Sequence, residues 1–429
     1  MQPHDFVIMP VANMDDDDLD DIVDNLEFKD NVLVICKSGS MRNKRVHFIQ
    51  DSFRDVNRIL AKIHAWKQKN CKHFAGVVAL DEEYHYSFSE AIAKEFGLCF
   101  YNRDLLDLAS NKYLQRLKLS EMGIKVPDFR LINRTAPLSG IGYPNVLKII
   151  TGYGSSFVYI NHNEKELSGN LRRIASCAKA GSYSYMFRQH PVRLNGEQAI
   201  LDPRTQFILE EYVPGNEYSC DFMVHEGEVH VLRVVKKVED KSHFAMFDAF
   251  MLFNPDEMPD SEFSLNYLQS FCKKVANGLG IERGVCMMDF KFSNEIVVLE
   301  ITIRPGISTF VALMAQLYGF TSINKLVRQH FGLPIEFTIP KENGMVVYMT
   351  SPNYGTLTSL DTTGLERHRQ HLGITRIRKY HKIGQRILHN RCNSVNLVLG
   401  YILFEHVDLH KADDFIAQVS NHVRIQVKA

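Results

Sequence analysis

Two carboxylates in a predicted hairpin, Asp289 and Glu300, have the side-chain type and the spacing of metal ligands. Residues 284–305 read GVCMMDFKFSNEIVVLEITIRP, which is two alternating apolar runs joined at Ser293-Asn294. With Ser293-Asn294 as a two-residue turn, Asp289 pairs with Val298 and lies diagonally from Glu300, within roughly 7–8 Å at the backbone. Carboxylates at that separation can share a hard cation such as Mg²⁺. The alternative is an ordinary half-buried hairpin with one solvated face.

The period-2 alternation of the same hairpin predicts which side chains share a face. The apolar face is predicted to hold Met288, Phe290, Phe292, Val297, Leu299, Ile301 and Ile303. The opposite face is predicted to hold Asp289, Lys291, Glu300, Thr302 and Arg304. A face of single acidic, hydroxyl and basic side chains is compatible with the base of a binding site.

A glycine- and serine-rich loop follows a strand that carries Lys148 in an apolar setting. Residues 146–160 read VLKIITGYGSSFVYI, and the sequence predicts another strand after the loop. Walker A loops and Rossmann fingerprints both need a helix directly after the glycines, so both are excluded. A strand–loop–strand flap can still offer backbone N–H groups to phosphate oxygens. The alternative is a lysine on an edge strand beside a flexible hairpin tip.

A third candidate segment, residues 207–224, reads FILEEYVPGNEYSCDFMV. One strand ends in Glu210-Glu211-Tyr212-Val213, the chain turns at Pro214-Gly215, and the next strand contains Glu217. Acidic side chains at a strand end beside an aromatic ring can accept hydrogen bonds from an amine or a ribose. The alternative is ordinary charged residues beside a turn.

The elements around these segments indicate a mixed α/β protein. Between residues 32 and 100, strands alternate with helices, which favours a parallel sheet with helices packed on it. A helix is predicted at 110–123, with Ser110 as N-cap and Gly123 just after its end. Further helices are predicted at about 164–179, 261–279, 308–319, 322–331 and 410–421. Ser38-Gly39-Ser40 lacks the GxGxxG spacing and is interpreted as a turn, which disfavours an NAD-dependent enzyme.

Composition excludes several classes of function. Lys plus Arg is 50 and Asp plus Glu is 50, so the formal charge is zero, without the basic excess of a protein that binds duplex nucleic acid. A hydrophobic content of 45% excludes a disordered chain. We expect neither a membrane span nor a signal peptide, because apolar runs are short and the N-terminus is acidic. The eight cysteines show no CxxC spacing, which favours free thiols in the cytoplasm.

Three charged or titratable groups are interpreted without a functional role. Residues 15–24 hold seven Asp and are interpreted as a solvated cap or loop. Residues 183–204, with Arg188, His190, Arg193 and Arg204, either bind an anionic substrate group or form a solvated loop, and we favour the loop. The histidines at 371, 381 and 389 are interpreted as structural or surface residues.

Taken in order, these segments resemble the ATP-grasp superfamily. The resemblance runs from about Asn111 to about Leu333 and includes Lys112 in SNKYLQRLKLSEMGIKVPDF, Lys148 in NVLKIITGYGSS, EEYVPGNE and MDF…LEITIRPG. The tail, with GTLTSLDTTGLE, YHKIGQRI and LVLGYILFEHVDLHKADDFIAQV, resembles the amino-acid ligase and carnosine-synthase-like subgroup.

The resemblance implies a fold of α/β and α+β type, in which two α+β subdomains clasp ATP after an open parallel α/β domain. It implies an N-terminal domain at 1–110, an ATP-grasp core at 111–334 with a lid subdomain at about 145–212, and a C-terminal α+β subdomain at 335–429 that completes the large lobe.

The resemblance also implies a role for each matching position. Lys112 and Lys148 would contact the ATP phosphates, and Gly152, Gly154, Ser155 and Ser156 would form the loop that closes over them. Glu210 would accept from the adenine amino group, Glu211, Tyr212 and Val213 would form the hinge strand, and Glu217 would hold the ribose hydroxyls. Asp289 and Glu300 would bind Mg²⁺, or alternatively Mn²⁺, and Arg304 would face the phosphate or the substrate carboxylate.

One departure concerns the second metal strand, where the family often has Glu-x-Asn and this chain has Glu300-Ile301-Thr302. A threonine hydroxyl is a poorer and shorter ligand than an asparagine carbonyl, which leaves open whether one or two Mg²⁺ ions bind.

The implied function is an ATP- and Mg²⁺-dependent ligase that activates a carboxylate as an acyl phosphate and joins it to an amine, expected to be that of an amino acid. The alternatives are a ligase with another nucleophile, such as ammonia or a thiol, and a nucleotide-binding module without turnover. The implied partners are a small carboxylate and a small amine, with neither nucleic acid nor membrane and with a homodimer as a candidate assembly.

Overall fold

A computed structural model describes residues 5–12, 14, 16–37, 46–80, 86–133, 140–152, 154–180, 186–194, 197–240, 242–254, 263–339, 341–388 and 395–428. Ser38-Gly39-Ser40 and position 389 lie outside the described residues. Among the helices of the described part, none is long and apolar enough to cross a membrane.

The chain begins with a parallel four-stranded sheet, as the alternation of strands and helices predicts. Its elements are β1 (Asp5–Val11), α1 (Asp16–Asp24), β2 (Val32–Cys36), β3 (His47–Gln50), α2 (Val56–Asn70), β4 (His73–Val77), α3 (Tyr86–Glu95) and α4 (Arg103–Ser110). The strand order is β3-β2-β1-β4, and each neighbouring pair is parallel. The run VLVIC of β2 is buried throughout, as expected for a strand covered on both faces.

The acidic run forms the helix α1, so the expectation of a solvated cap or loop is wrong. Leu19, Ile22 and Val23 are buried at helical spacing, which gives α1 an apolar face. Asp21 is only 2% exposed and is bound by Arg376, Arg378 and the hydroxyl of Tyr401. The helix was not predicted because seven of the ten residues are aspartates and only three are apolar, so the segment was interpreted from its charge.

The next part of the chain builds a small antiparallel sheet. Its elements are α5 (Lys112–Glu121), β5 (Phe129–Asn133), β6 (Asn145–Ile149), β7 (Val158–Asn161), α6 (Glu164–Lys179), β8 (His190–Leu194), β9 (Glu197–Leu201) and β10 (Gln206–Glu211). The strand order is β5-β10-β6-β7, and α6 packs on it through Leu167, Leu171 and Ile174. Strands β8 and β9 form a separate hairpin within the basic segment 183–204, which is therefore not a simple loop.

The cap of α5 differs from the prediction by one residue. Asn111 is the N-cap, and its side chain accepts hydrogen bonds from the backbone N–H groups of Tyr113 (3.1 Å) and Leu114 (3.2 Å). Ser110 ends α4 instead and donates to the Leu106 carbonyl. Asparagine caps as well as serine, so sequence alone does not separate the two. Gly123 has φ +63° just after α5, as predicted.

The remaining elements form a large eight-stranded sheet and a three-stranded sheet. They are β11 (Asn216–His225), β12 (Glu228–Glu239), β13 (Phe247–Leu252), α7 (Leu265–Leu279), β14 (Gly284–Phe292), β15 (Ile296–Thr302), α8 (Thr309–Tyr318), α9 (Ser322–His330), β16 (Gly344–Thr350), β17 (Gly355–Asp361), α10 (Thr363–Arg367), β18 (Ile374–Lys379), β19 (Arg386–Ile387), β20 (Val398–Glu405), α11 (Ala412–His422) and β21 (Arg424–Lys428). The large sheet has the order β15-β14-β11-β12-β13-β16-β20-β18.

The two faces of the large sheet carry different layers. One face packs on α7 through residues such as Tyr218, Phe290 and Val275. The other face contributes Val346 and Leu403 to a core that also contains residues of α8, α9 and the N-terminal sheet. This second face therefore lies between the two halves of the chain.

The predicted hairpin forms as β14 and β15, but in a different register. A three-residue connection pairs Phe292 with Ile296, and a bulge after Asp289 then pairs Asp289 directly with Glu300. The predicted diagonal pair is therefore a direct pair. The bulge also corrects the predicted apolar face, because Val298 pairs with Phe290 whereas Val297 pairs with Lys291 on the other face, and Leu299 lines a cavity.

Candidate active site

A cavity of about 810 Å³ lies between the small sheet and the large sheet, closed by residues from both ends of the chain. All of the residues to which the sequence assigns a role in nucleotide or metal binding line it. They are Lys112, Lys148, Gly152, Gly154, Ser155, Ser156, Glu210, Glu211, Tyr212, Val213, Glu217, Asp289, Glu300, Thr302 and Arg304. Their convergence from segments up to 192 positions apart in the chain reflects the fold rather than local sequence.

Asp289 and Glu300 lie side by side on β14 and β15, and each is bound by a lysine. Lys237 Nζ lies 2.7 Å from Asp289 Oδ2 and 2.9 Å from Glu217 Oε1. Lys112 forms an ion pair with Glu300. Burial alone lowers the pKa of Lys237, but the charges of Asp289 and Glu217 outweigh it and raise that pKa above its ordinary value. Lys237 therefore stays charged and bridges both carboxylates, offsetting one of their two negative charges.

The chemistry of these two carboxylates fits a hard divalent cation. Asp289 Oδ1 is buried, and among the described residues it has no hydrogen-bond partner. An acceptor oxygen without a donor is costly to bury unless a cation binds it. No group of three or more His, Cys, Asp or Glu side chains within the described ranges is arranged to hold a metal on its own. Two carboxylates plus substrate phosphates are, however, a sufficient ligand set for Mg²⁺.

Glu210, near the end of β10, forms ion pairs with two basic side chains. Its carboxylate is 1% exposed and lies 2.8 Å from Arg116 Nε and 2.5 Å from Lys148 Nζ. Burial alone would raise the pKa of Glu210, but the charges of Arg116 and Lys148 hold it below its ordinary value. The strand position of Lys148, directly across from Ile208, aims its amine along the same face as Glu210. Glu210 thus fixes the position of Lys148.

The glycine-rich loop lies over Lys112. Lys112 Nζ donates to the Gly152 carbonyl at 2.9 Å, and the Lys112 backbone N–H donates to the Ile150 carbonyl at 2.7 Å. Gly152, Gly154 and Ser155 all have positive φ, at 102°, 56° and 57°. Successive positive-φ residues turn backbone N–H groups away from any sheet partner, which suits a loop that closes over an anion. Residue 153 lies outside the described residues.

The last residue of β10 and the residue after it are each held by a backbone hydrogen bond. The Glu211 N–H donates to the Asp128 carbonyl at 2.8 Å, and the Tyr212 N–H donates to the Pro144 carbonyl at 3.3 Å. Both Tyr212 and Val213 line the cavity. The segment that joins the two sheets is therefore fixed, and its side chains lie against the cavity.

Thr302 and Arg304 follow Glu300 at the far end of β15. The Thr302 hydroxyl donates to the Arg304 carbonyl at 3.3 Å, and Arg304 Nη1 donates to the Pro305 carbonyl at 3.2 Å. Both side chains are buried and both line the cavity. The hydroxyl donor of Thr302 is used by the backbone, which leaves its oxygen as an acceptor.

Sequence reasoning missed several residues of the cavity. Lys237 and Glu239, the partner of Lys291, were not identified, and neither was Arg116, the fully buried partner of Glu210. His381 lines the cavity although it was interpreted as structural or surface. Arg116 lies 94 positions from its partner Glu210, so no local pattern connects them. The alternation in VLRVVKKVED was an available signal for Lys237, since Lys237 and Glu239, two residues apart on β12, both line the cavity. Burial lowers the pKa of His381, so its imidazole is neutral at pH 7. His371 is exposed and is absent from the lining, as interpreted.

The arrangement suits the binding of a phosphorylated, metal-bound ligand. Lys237 and Lys112 face the two carboxylates that can take a divalent cation, Lys148 lies at Glu210, and a glycine-rich loop borders the same space. Phosphoryl transfer requires positioning and neutralisation of charge more than covalent chemistry from the protein. Those two requirements are what this set of side chains provides.

Comparison with known proteins agrees with this geometry. A family model described as an ATP-grasp domain matches residues 141–309. Among solved structures, an L-amino acid ligase from Bacillus licheniformis has a TM-score of 0.75 at 16% identity, covering 100% of each chain. N5-carboxyaminoimidazole ribonucleotide synthetase from Thermotoga maritima has a TM-score of 0.66 at 17% identity, covering 99% of this chain and 100% of that chain.

A biotin carboxylase domain of a 2-oxoglutarate carboxylase from Hydrogenobacter thermophilus, solved with MgADP, ADP and bicarbonate, has a TM-score of 0.63 at 14% identity. It covers 98% of this chain and 91% of its own. No curated protein matches the chain. The shared architecture, together with the family match over the site, shows that this chain has the ATP-grasp fold and contains an ATP-grasp domain.

Proposed function

We propose that the protein is an ATP- and Mg²⁺-dependent ligase that joins a carboxylate to an amine, with release of ADP and phosphate. The observation that carries the proposal is the direct pairing of Asp289 with Glu300 in the cavity that also holds Lys112 and Lys148. The match to an ATP-grasp domain over residues 141–309 supports a ligase that uses ATP.

Asp289 and Glu300 would hold Mg²⁺, whose charge offsets that of the phosphate oxygens during transfer. Lys237 and Lys112, which neutralise these carboxylates here, would then contact phosphate oxygens. Thr302 would add at most a hydroxyl oxygen, so the structure-based expectation is one strongly held ion, with a second dependent on water or phosphate ligands.

The remaining groups would bind and enclose the nucleotide. Because both oxygens of Glu210 are engaged by Arg116 and Lys148, its main contribution would be to position Lys148, with a second acceptor site left for the adenine amino group. Glu211, Tyr212 and Val213 would border the adenine, and Glu217 would hold the ribose. Gly152 to Ser156 would close over the phosphates and exclude water.

The proposed reaction has two chemical steps, and neither needs a nucleophile from the protein. A carboxylate oxygen of the substrate attacks the terminal phosphorus of ATP, the bond to ADP breaks, and an acyl phosphate forms. The lone pair of a neutral amine then attacks the acyl carbon, the carbon–oxygen bond to phosphate breaks, and the amine loses a proton as the amide forms. Arg304 would neutralise the substrate carboxylate or the phosphate during these steps.

We further propose that the amine belongs to an amino acid. This is supported by the overall likeness to an L-amino acid ligase structure. The chain is also similar to a ribonucleotide synthetase and to a biotin carboxylase domain, so the likeness does not select one nucleophile, and ammonia and a thiol are the competing proposals. We also propose that the chain divides into domains at 1–110, 111–334 and 335–429, with a lid at about 145–212. We propose as well that the protein is cytoplasmic, which is supported by the free cysteines of the described chain.

The test is release of ADP and phosphate from MgATP with pooled carboxylic acids and amino acids, followed by mass analysis of the products. Substrate-dependent release and a product lighter by one water than its two substrates are expected. The absence of stimulated release across the whole pool, together with tight ATP binding, would identify a nucleotide-binding module instead. Glu300→Gln should reduce turnover at least 100-fold, and retained turnover would contradict the metal assignment.

A further inference from the structure

The strand that carries Glu300 lies at one edge of the large sheet, and the helix α5 covers that edge. Within the described residues β15 pairs with β14 alone, so the outer backbone groups of β15 need partners that are not a strand. Gln115 and Arg116 lie three and four residues after Lys112 in α5, so the three side chains share one face of the helix. All three bind β15, Lys112 through the Glu300 carboxylate and the other two through the backbone. The helix α5 therefore takes the place of a further strand beside Glu300.

The side chain of Gln115 pairs with Ile301 as the backbone of a neighbouring strand would. Its Nε2 donates to the Ile301 carbonyl at 2.7 Å, and its Oε1 accepts from the Ile301 backbone N–H at 2.9 Å. A glutamine amide carries the same kinds of donor and acceptor as a peptide group. Gln115 is only 3% exposed, so water does not compete for these two bonds. They fix the backbone between Glu300 and Thr302.

The next residue of α5, Arg116, holds the strand on the other side of Glu300. Its Nη2 donates to the carbonyl of Leu299, and its Nε donates to Glu210 Oε1 at 2.8 Å. Arg116 is completely buried, and among the described residues its Nη1 has no hydrogen-bond partner. A buried donor without a partner costs free energy, so stability alone does not account for this side chain. Since Glu210 in turn binds Lys148, one guanidinium connects the strand of Glu300 to the lysine of the small sheet.

We propose that Gln115 and Arg116 are positioning residues for the metal. They hold β15 so that the Glu300 carboxylate keeps its place beside Asp289, and Arg116 also keeps that carboxylate at a fixed spacing from Lys148. This inference rests on the proposed metal and nucleotide site and adds the residues that set its geometry. Mg²⁺ demands near-ideal octahedral geometry, so a ligand on a strand that can shift binds it poorly. Removal of a group that orients a metal ligand typically costs roughly 10–100-fold in metal affinity.

The test measures binding of Mn²⁺ to the whole protein in the presence of ADP, because Mn²⁺ replaces Mg²⁺ and is detected by electron paramagnetic resonance. Gln115→Met removes both hydrogen bonds to Ile301 and keeps the length of the side chain. It should weaken Mn²⁺ binding at least 10-fold. Binding of ADP without metal, measured by calorimetry in EDTA, should stay within two-fold, because the nucleotide alone does not need the metal geometry. Gln68→Met makes the same change on the exposed side of α2 and should alter neither.

The second variant, Arg116→Lys, keeps the positive charge beside Glu210 but loses the planar fork that also reaches Leu299. It should likewise weaken Mn²⁺ binding at least 10-fold and leave metal-free ADP binding within two-fold. Arg58→Lys changes a half-exposed arginine in its pair with Asp51 and is the matched control.

Unchanged Mn²⁺ binding in Gln115→Met or in Arg116→Lys overturns the role of that residue. An equal loss of ADP binding with and without metal also overturns it, because a purely structural role would have that effect. Absence of Mn²⁺ binding by wild type contradicts the proposed metal site, and the inference falls with it. Absence of turnover with every acid and amine, while both variants weaken Mn²⁺ binding, contradicts the ligase function and leaves the positioning role standing.

Discussion

At the scale of single residues, the lysines of the cavity satisfy the carboxylates that we assign to the metal. Lys237 bridges Asp289 and Glu217, and Lys112 pairs with Glu300. A divalent cation that arrives alone must bind next to a charged amine at each carboxylate, and that amine repels it. Since the phosphates of ATP offer those amines a new partner, metal and nucleotide should bind together far better than either binds alone.

The variant Lys237→Met tests this exchange. Removal of the bridging amine should tighten binding of Mg²⁺ in the absence of nucleotide at least 10-fold, which is about 1.4 kcal/mol, as measured by calorimetry. Lys273→Met removes an exposed lysine from its pair with Glu228 and should leave Mg²⁺ binding unchanged. Equal Mg²⁺ affinity in Lys237→Met and wild type would show that the lysine does not compete with the ion.

The buried Glu210 makes a pH-dependent contribution to stability. Because its pKa in the folded protein lies below the ordinary value of 4.5, its contribution is complete above about pH 4.5 and is lost as the pH falls through the folded pKa. Glu210→Gln leaves Arg116 and Lys148 buried without their counter-charge and should lower the free energy of unfolding by about 3–5 kcal/mol at pH 7.

Urea unfolding between pH 3 and 7 measures this effect, and the difference between wild type and Glu210→Gln should shrink toward acid pH. Glu295→Gln, in an exposed pair with Lys125, is the control and should change the free energy of unfolding by less than about 1 kcal/mol. A difference that stays constant with pH would contradict the assigned charge state.

At the scale of elements, the loop after β6 depends on glycine for its backbone conformation. Gly154 has φ +56°, and an added Cβ would meet no atom within 4 Å, so Gly154→Ala changes backbone preference without a clash. The left-handed conformation costs a non-glycine residue roughly 1 kcal/mol. We expect the KM for ATP to rise about five-fold in Gly154→Ala, as measured by steady-state kinetics.

Gly227→Ala is a matched control for Gly154→Ala, because Gly227 also has positive φ with open space around its Cβ position, in the turn between β11 and β12. It should lower stability by a similar amount and leave the KM for ATP unchanged. A rise in KM in both variants would point to general destabilisation instead of a loop effect.

The sequence predicted several of the strands that carry site residues, but not how those strands pair. The strand with Lys148, the strand end at Glu210 and the β14–β15 hairpin were predicted because each is a continuous segment with its own periodicity. The register of the hairpin was not predicted, because the alternation of apolar and polar residues does not reveal the bulge after Asp289 or the three-residue connection. Arg116 and Asp18 were missed because only long-range packing brings Arg116 to Glu210 and Asp18 to the cavity, whereas Lys237 was overlooked although its strand alternates.

At the scale of the whole molecule, the N-terminal sheet and the large sheet share one core. Val7 and Met9 from the first, together with Leu19 of α1, pack in the same cluster as Val346 and Leu403 from the second. The small sheet has a core of its own, built from residues such as Leu147, Leu167 and Phe207. The first two should therefore unfold together, whereas the small sheet can open separately.

Hydrogen exchange in increasing denaturant checks this expectation. Amides of β2 and β16 should lose protection at the same denaturant concentration, and amides of β6 should lose protection earlier. Loss of protection in β2 well before β16 would show that the N-terminal sheet is an independent unit. Addition of MgATP should raise the protection of β6 if the small sheet closes over the nucleotide.

The pairing of charges within the cavity has a consequence for the speed of nucleotide capture. The lining, over the described part of the chain, carries five basic and seven acidic side chains, so it offers no net positive field to an anion. Electrostatically steered association slows steeply as ionic strength rises. Here the association rate of MgATP, measured by stopped flow, should instead stay flat or increase between low and physiological salt. Capture would then be limited by the rearrangement of ion pairs inside the cavity and not by long-range attraction from solution.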